Sequence, residues 1–207
     1  MSRPATREQL LDVRRQTQLV LYGKGLLEKK RDSLLRALEE ERRCFREREA
    51  ALKEHIAALW QIYGRLYLLE GATVSALLRP VLPRRVLTRL EMVMGCRFPV
   101  FTPHPETPFG PPSYDPALTA LDADALVEKL GQIDDLLWTY LNAKAKVQAL
   151  ERELSRTLAR INVLEHTLLP EFREDEVRIR NTLSERERQE RFALKKLTRG
   201  KNKNALP

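Results

Sequence analysis

The stretch LVEKLGQIDDLLWTYLNAKAKVQALERELSRTLARINVLEHTL, residues 126–168, decides the fold. Within it Leu126, Ile133, Tyr140, Val147, Leu154, Ile161 and Leu168 recur at intervals of seven, and none of them is charged. A seven-residue apolar period keeps a helical stripe on its partner only if the two helices wind around each other left-handedly. The stretch is therefore half of a coiled coil, and the first question is where the other half lies. Leu130, Leu137, Leu150, Leu158 and Leu164 flank the stripe and widen it into a face.

The amino-terminal third supplies a partner. Thr6 followed by Gln9 fits a capping box, and from there no proline occurs before Pro80. Val20, Leu27 and Leu34 form one seven-spaced set, and Leu38, Phe45, Leu52, Leu59 and Leu66 form the second. Ile62 and Leu69 rejoin the first set after Glu41, Arg48 and His55 interrupt it, so this seam is wetter in its middle. The spacing predicts one helix from residue 6 to 70, stopped at Glu70-Gly71, with a length on the order of 95 Å. Gly23, Gly25 and Gly64 lie inside it. Each costs about 1 kcal/mol and marks either a close approach by another backbone or a weak spot.

Nine of the twelve prolines fall between Pro80 and Pro116, where neither a long helix nor a central strand can continue. Residues 71–121 therefore form a proline-rich cap where the chain reverses. Val74–Leu78 fits a short helix, residues 86–100 a small β-hairpin turning near Gly95, and Thr102–Pro112 an irregular loop. Asp115-Pro116 is a helix start, and Asp122 offers a second one for the long carboxy-terminal helix.

The expected fold class is all-α: a long antiparallel two-helix left-handed coiled coil built from residues 1–70 and 122–207, with the cap between them. A turn-around at Gly71 and Asp122 sets Leu38 beside Leu164, Leu52 beside Leu150 and Leu66 beside Leu137. Pro170 removes one backbone donor and presses on the carbonyl of His166, which predicts a bend or local unwinding there. Beyond it Phe172, Ile179, Leu183, Leu194 and Leu197 carry a thinner stripe through a highly charged surface.

Composition limits the function. Charged residues make up 32% of the chain and aromatics 6%, the balance of long helices rather than of a globule with a deep pocket. No stretch reads as a secretory leader, and no run of eighteen apolar residues is present to insert into a membrane. Cys44 and Cys96 lack metal-ligand spacing, which fits a reduced, cytoplasmic protein with no metal or cofactor. Gly23-Lys24-Gly25 lacks the spacing of a phosphate loop, His55, His104 and His166 are scattered, and no serine has a paired base. These absences argue against an enzyme. The net charge of +8 favours an acidic partner surface, and no acid follows Glu190, leaving Arg191, Lys195, Lys196, Arg199, Lys201 and Lys203 as a basic end with Gly200 as its helix stop. The antiparallel arrangement sets this end beside Arg3 and Arg7. Nucleic-acid binding is the competing use of such an end. Phe192 alone interleaves with these bases, too little aromatic surface for base stacking.

Five segments, in order, resemble the D subunit of V-type and A-type rotary ATPases. They are Pro4-Ala5-Thr6-Arg7; Gly25 to Asp32 (GLLEKKRD), with Glu28 where the family has a basic residue; Met94 to Pro99 (MGCRFP); Arg160 to Glu165 (RINVLE) with Leu169-Pro170 after it; and Leu183 to Arg188 (LSERER) with Leu194-Lys195-Lys196, where Ala193 replaces an arginine. The resemblance implies a non-catalytic central-stalk rotor shaft whose two termini enter a hexamer of alternating A and B subunits. A small F subunit and a funnel-shaped C (or d) subunit would hold its other end above the membrane ring. It implies no nucleic-acid partner and no direct membrane insertion. The residues it singles out for partner contact are Lys29, Lys30, Arg31 and Asp32 on the first helix, Arg160, Asn162 and Glu165 on the second, and Arg191, Lys195 and Lys196 at the basic end. Asn162 and Glu165 serve equally well as polar residues that fix register within the pair. A coiled-coil structural adaptor with a basic tip is the alternative reading.

Overall fold

The computed structural model describes residues 5–71, 85–104 and 121–203, with the side chains of residues 70, 121, 122 and 197–203 left aside. The elements run α1 (Arg7–Glu70), β1 (Val86–Val93), β2 (Cys96–Pro103), α2 (Leu121–Val163), a π-helical turn (Leu164–Leu168) and α3 (Leu169–Lys203). The expected short helix at Val74–Leu78 and the start at Asp115-Pro116 fall outside the described residues, as does the expected loop Thr102–Pro112 apart from its first three residues, of which Thr102 and Pro103 are strand rather than loop. Among the described residues no helix is long and apolar enough to cross a membrane.

α1 starts on its cap. The Thr6 hydroxyl accepts from the Gln9 amide at 3.1 Å, and the Thr6 carbonyl accepts from Leu10 at 3.1 Å. It ends at Gly71, whose φ of +65° lets the Gly71 amide turn back onto the Tyr67 carbonyl at 2.9 Å. Gly23, Gly25 and Gly64 do not mark close approaches. A Cβ added at any of the three meets nothing within 4 Å beyond its own helix, so they are weak spots in α1.

The chain divides into two compact units, Met1–Asp32 with Arg156–Pro207, and Ser33–Ser155. In the first, α1 runs antiparallel to the π turn and α3: Arg7 pairs with Glu187, Arg14 with Glu176 and Lys24 with Glu165, so one number rises as the other falls. Val13, Ile161, Leu169 and Ile179 are its buried apolar residues.

In the second unit α1 runs antiparallel to α2. Leu34 and Leu38 share a core with Val147, Ala149 and Leu150, and Leu66 packs with Ala123 and Leu126. Phe45 stacks on Tyr140 with ring centres 5.2 Å apart, joining the two heptad stripes directly. The axial register differs from the expected one. Leu66 meets Leu126, about three turns from Leu137, and Leu38 meets Leu150, about four turns from Leu164. The reason is that a heptad pattern names the face but not the slide. Moving one helix by whole heptads brings apolar residues opposite apolar residues again. Each fully buried leucine of these clusters contributes about 1.5–3 kcal/mol relative to exposure.

The hairpin lies on this second core. β1 and β2 pair antiparallel from Val93↔Cys96 out to Val86↔Pro103, three residues beyond the expected end at Val100. Met94 (φ +52°) and Gly95 (φ +80°) form the two-residue turn, both in the left-handed region that such hairpins use. Cys96 and Phe98 are buried against Leu34, Leu38 and Leu150, with Val93 and Val100 half-buried beside them.

Pro170 acts on the turn before it. The Leu169 amide donates to the Leu164 carbonyl, five residues back, which widens the helix to a π turn over Leu164–Leu168. This is the form the local unwinding takes. Gly200 does not stop α3, which runs to Lys203. A helix-stopping glycine needs a left-handed backbone, and among the described glycines only Gly71 and Gly95 have one.

Candidate partner-contact site

Most of the seam residues named from the heptads are sheltered, although Leu69, at the end of α1, is exposed. Leu38, Leu52, Leu66, Leu126, Val147 and Ile161 are buried, while Phe45, Leu59, Ile133, Tyr140, Leu154 and Leu168 are half-buried. What is left for partners is the polar and charged surface around them.

On α1, Lys29 and Asp32 are exposed, whereas Lys30 and Arg31 are half-buried. Arg31 is turned along its own helix: its Nε and Nη2 donate to Asp32 Oδ1 at 2.9 and 2.8 Å. About two turns earlier Lys24 bridges two carboxylates, Glu165 at 3.2 Å and Glu28 at 3.6 Å. The hydrogen bond to Glu165, with the charges of Glu165 and Glu28 behind it, raises the Lys24 pKa above its ordinary value. Glu28, where the rotary-ATPase pattern has a base, therefore serves as a second anion for Lys24.

On the opposing helices Arg160, Asn162 and Glu165 are exposed, and buried Ile161 lies between the first two. Asn162 thus stands off the seam. Glu165 sits on the π turn and reaches α1 through Lys24, so the three residues are neighbours in sequence with different surroundings.

Toward the carboxy terminus the surface is a lattice of ion pairs. Glu176 accepts from Arg14 Nε at 2.9 Å and from Arg180 Nη2 at 2.6 Å. These bonds, that of Arg14 first, hold its carboxyl below the usual carboxylate range despite partial burial. Glu187 takes Arg7 at 2.6 Å and Arg191 at 3.8 Å, and Arg186 donates to the Ala5 carbonyl at 3.1 Å. Glu185 is lowered by the forked hydrogen bond from Arg188, with Gln189 adding a further donor. Beyond this lattice Lys195 and Lys196 are exposed, as are Phe192 and Leu194. The site residues therefore form separate groups on α1, around the π turn and along α3. Their geometry suits docking against a surface rather than enclosing a small molecule.

Two positions carry more of the arrangement than their sequence context suggests. Lys24 lies between two glycines, just before the Gly25–Asp32 segment and outside it. Asn142 of α2 bonds both backbone groups of Phe101: its Oδ1 accepts the Phe101 amide at 2.7 Å and its Nδ2 donates to the Phe101 carbonyl at 2.9 Å. No local signal separates this asparagine from an ordinary polar residue on a helix.

The sequence model of the family described as the ATP synthase D subunit matches residues 9–199. The V-type ATP synthase D 2 subunit of Treponema pallidum is 31% identical over 203 residues, covering 93% of this chain and 92% of its own length. The V-type ATP synthase D subunit of Thermus thermophilus is 29% identical over 206 residues, covering 93% and 86%. The A-type ATP synthase D subunit of Desulfurococcus sp. strain SY is 27% identical over 197 residues, covering 93% and 91%. Residues 9–199 take in the hairpin and all but the outermost residues of the helices, and the chain belongs to the D-subunit family of ATP synthases.

Proposed function

We propose that the chain is the non-catalytic central-stalk component, the rotor shaft, of a V/A-type ATPase. It couples ATP hydrolysis or synthesis in a hexamer of A and B subunits to proton or sodium translocation by rotation. The observation that carries this reading is the family match over residues 9–199, which takes in the hairpin and all but the outermost residues of the helices. The physical features agree with it. A shaft needs paired helices to carry torque, and α1 is paired antiparallel in each unit. It must also turn against a surrounding wall, which favours long charged side chains over a continuous apolar surface.

In this reading the shaft comprises residues 1–70 and 122–207, with residues 71–121 as its cap. The complex is peripheral to the membrane on the cytoplasmic side, without insertion by this chain. The basic stretch at Arg191, Lys195 and Lys196 faces the A and B subunits. The F subunit and the C (or d) subunit bind the opposite end. Lys29, Lys30, Arg31, Asp32, Arg160, Asn162 and Glu165 supply further contacts along the shaft. ATP chemistry belongs to the A and B subunits.

Purification of the tagged full-length chain from its own cells, followed by mass spectrometry, tests the reading. The A, B, F and C (or d) subunits are expected in the eluate in fixed ratio. An eluate without A and B subunits overturns the rotor assignment.

A further inference from the structure

The hairpin has two edges, and they are built differently. In an antiparallel pair joined by a two-residue turn, alternate residues turn their N–H and C=O away from the partner strand. The Val93↔Cys96 pairing and the bond from the His104 amide to the Arg85 carbonyl at 3.0 Å fix which residues these are. On β2 they are Arg97, Pro99, Phe101 and Pro103; on β1 they are Val86, Thr88, Leu90 and Met92. The β2 edge is closed. Two of its four outward positions are prolines without an N–H, and Asn142 takes both backbone groups of Phe101. The β1 edge has neither device. It contains no proline, among the described residues it pairs with β2 alone, and every residue from Arg85 to Leu90 is exposed. Leu90 is 72% exposed and Met92 63%, on the face turned away from the core.

Natural sheets block such edges because an open row of donors and acceptors recruits another strand. Among the described residues, one edge is blocked twice over and the other is left open, with apolar side chains beside it. The surrounding charge selects the recruit. Arg85, Arg89 and Arg97 are exposed, and Glu91, the one acid of the hairpin, is already bonded to Arg89 at 2.6 Å.

We infer that the outer edge of β1 is a docking site for an extended segment of another chain that alternates apolar and acidic residues. That segment adds a third strand beside β1. Its backbone bonds the outward groups of Val86, Thr88, Leu90 and Met92, its apolar residues cover Leu90 and Met92, and its carboxylates, on the opposite face, meet Arg85 and Arg89. The inference concerns the hairpin alone and stands apart from the rotor reading.

The test uses the full-length chain and a blocked eight-residue peptide alternating glutamate and valine, with a lysine–valine peptide as its counterpart. Hydrogen exchange read by NMR is expected to slow about tenfold or more at Val86, Thr88, Leu90 and Met92 under saturating acidic peptide, at about 1 mM or below. The amides of Leu87, Arg89 and Glu91, already in the ladder, are expected not to change. The lysine peptide is expected to bind at least about tenfold more weakly. Thr88→Pro with Leu90→Pro removes outward donors alone, as the prolines of β2 do, and is expected to abolish binding while the Phe101 amide stays protected by Asn142. The inference is overturned by outward amides already as protected as the ladder in the chain alone, or by no protection from the acidic peptide. It is also overturned by equal binding of the lysine peptide. Protection that rises with protein concentration makes a second copy the occupant and overturns it too.

Discussion

Asn142 does at one residue what a whole strand does elsewhere: it accepts and donates to the same backbone unit, at Phe101. Removing it strands an amide and a carbonyl in a half-buried place, and such orphaned groups cost about 1–3 kcal/mol. Asn142→Ala is therefore expected to lower the urea midpoint of the full chain by a corresponding amount. Asn142→Asp keeps the acceptor but turns a carboxylate oxygen toward the Phe101 carbonyl, so it should destabilise at least as much. A midpoint unchanged in both variants would show that the latch contributes nothing. This residue was not legible beforehand, because an asparagine on a polar helix position looks the same whether its amide meets water or a strand. Glu165 was legible as a residue of interest from the Arg160–Glu165 segment, but its partner was not. Lys24 sits far away in sequence, and only the axial register decides that the two meet.

The long helices were legible because their signal is periodic and repeated. Seven positions from Leu126 to Leu168 report one face many times over, and all of them are buried or half-buried. The slide between helices is reported by no repeat, which is why Leu66 meets Leu126 rather than Leu137. The hairpin was legible at Gly95 and not at its far end, since Val100 and Pro103 differ by ladder bonds that the turn residues do not specify. Interior glycines carry an ambiguity of the same kind: crowding and weakness look alike until the neighbours are known. At Gly64 nothing stands within 4 Å of an added Cβ, and its φ is not positive. Gly64→Ala is then expected to stabilise the chain by up to about 1 kcal/mol, through a less flexible unfolded state and better helix propensity. Urea titration checks it: the midpoint should rise with the slope unchanged. A fall would mean that a neighbour approaches this face after all.

Over the whole molecule the balance of +8 is uneven along the chain, because the last acid is Glu190. Up to Arg191 the acids of α3 tie bases of both helices into the lattice: Glu176 holds Arg14 and Arg180, Glu185 holds Arg188, and Glu187 holds Arg7 and Arg191. Lys195 and Lys196 follow the last acid of the chain, and both are exposed. Exposed pairs within one chain are worth about 0–1 kcal/mol, so reversing these two lysines should leave the fold alone. Between chains the same charges set encounter rate and register, and reversing two of them changes the local charge by four units. The double variant Lys195→Glu with Lys196→Glu should keep the thermal midpoint of the isolated chain within about 1 °C. Reconstituted with A and B subunits at low salt, it should assemble about tenfold or more weakly, and coupled turnover should fall with it. Raising the ionic strength should narrow the gap by weakening the unmodified chain, since screening acts on the attraction being tested. Equal assembly and equal coupled turnover for the two chains would remove Lys195 and Lys196 from the contact with the A and B subunits. A gap that persisted unchanged in high salt would mean that the variant had damaged packing rather than charge.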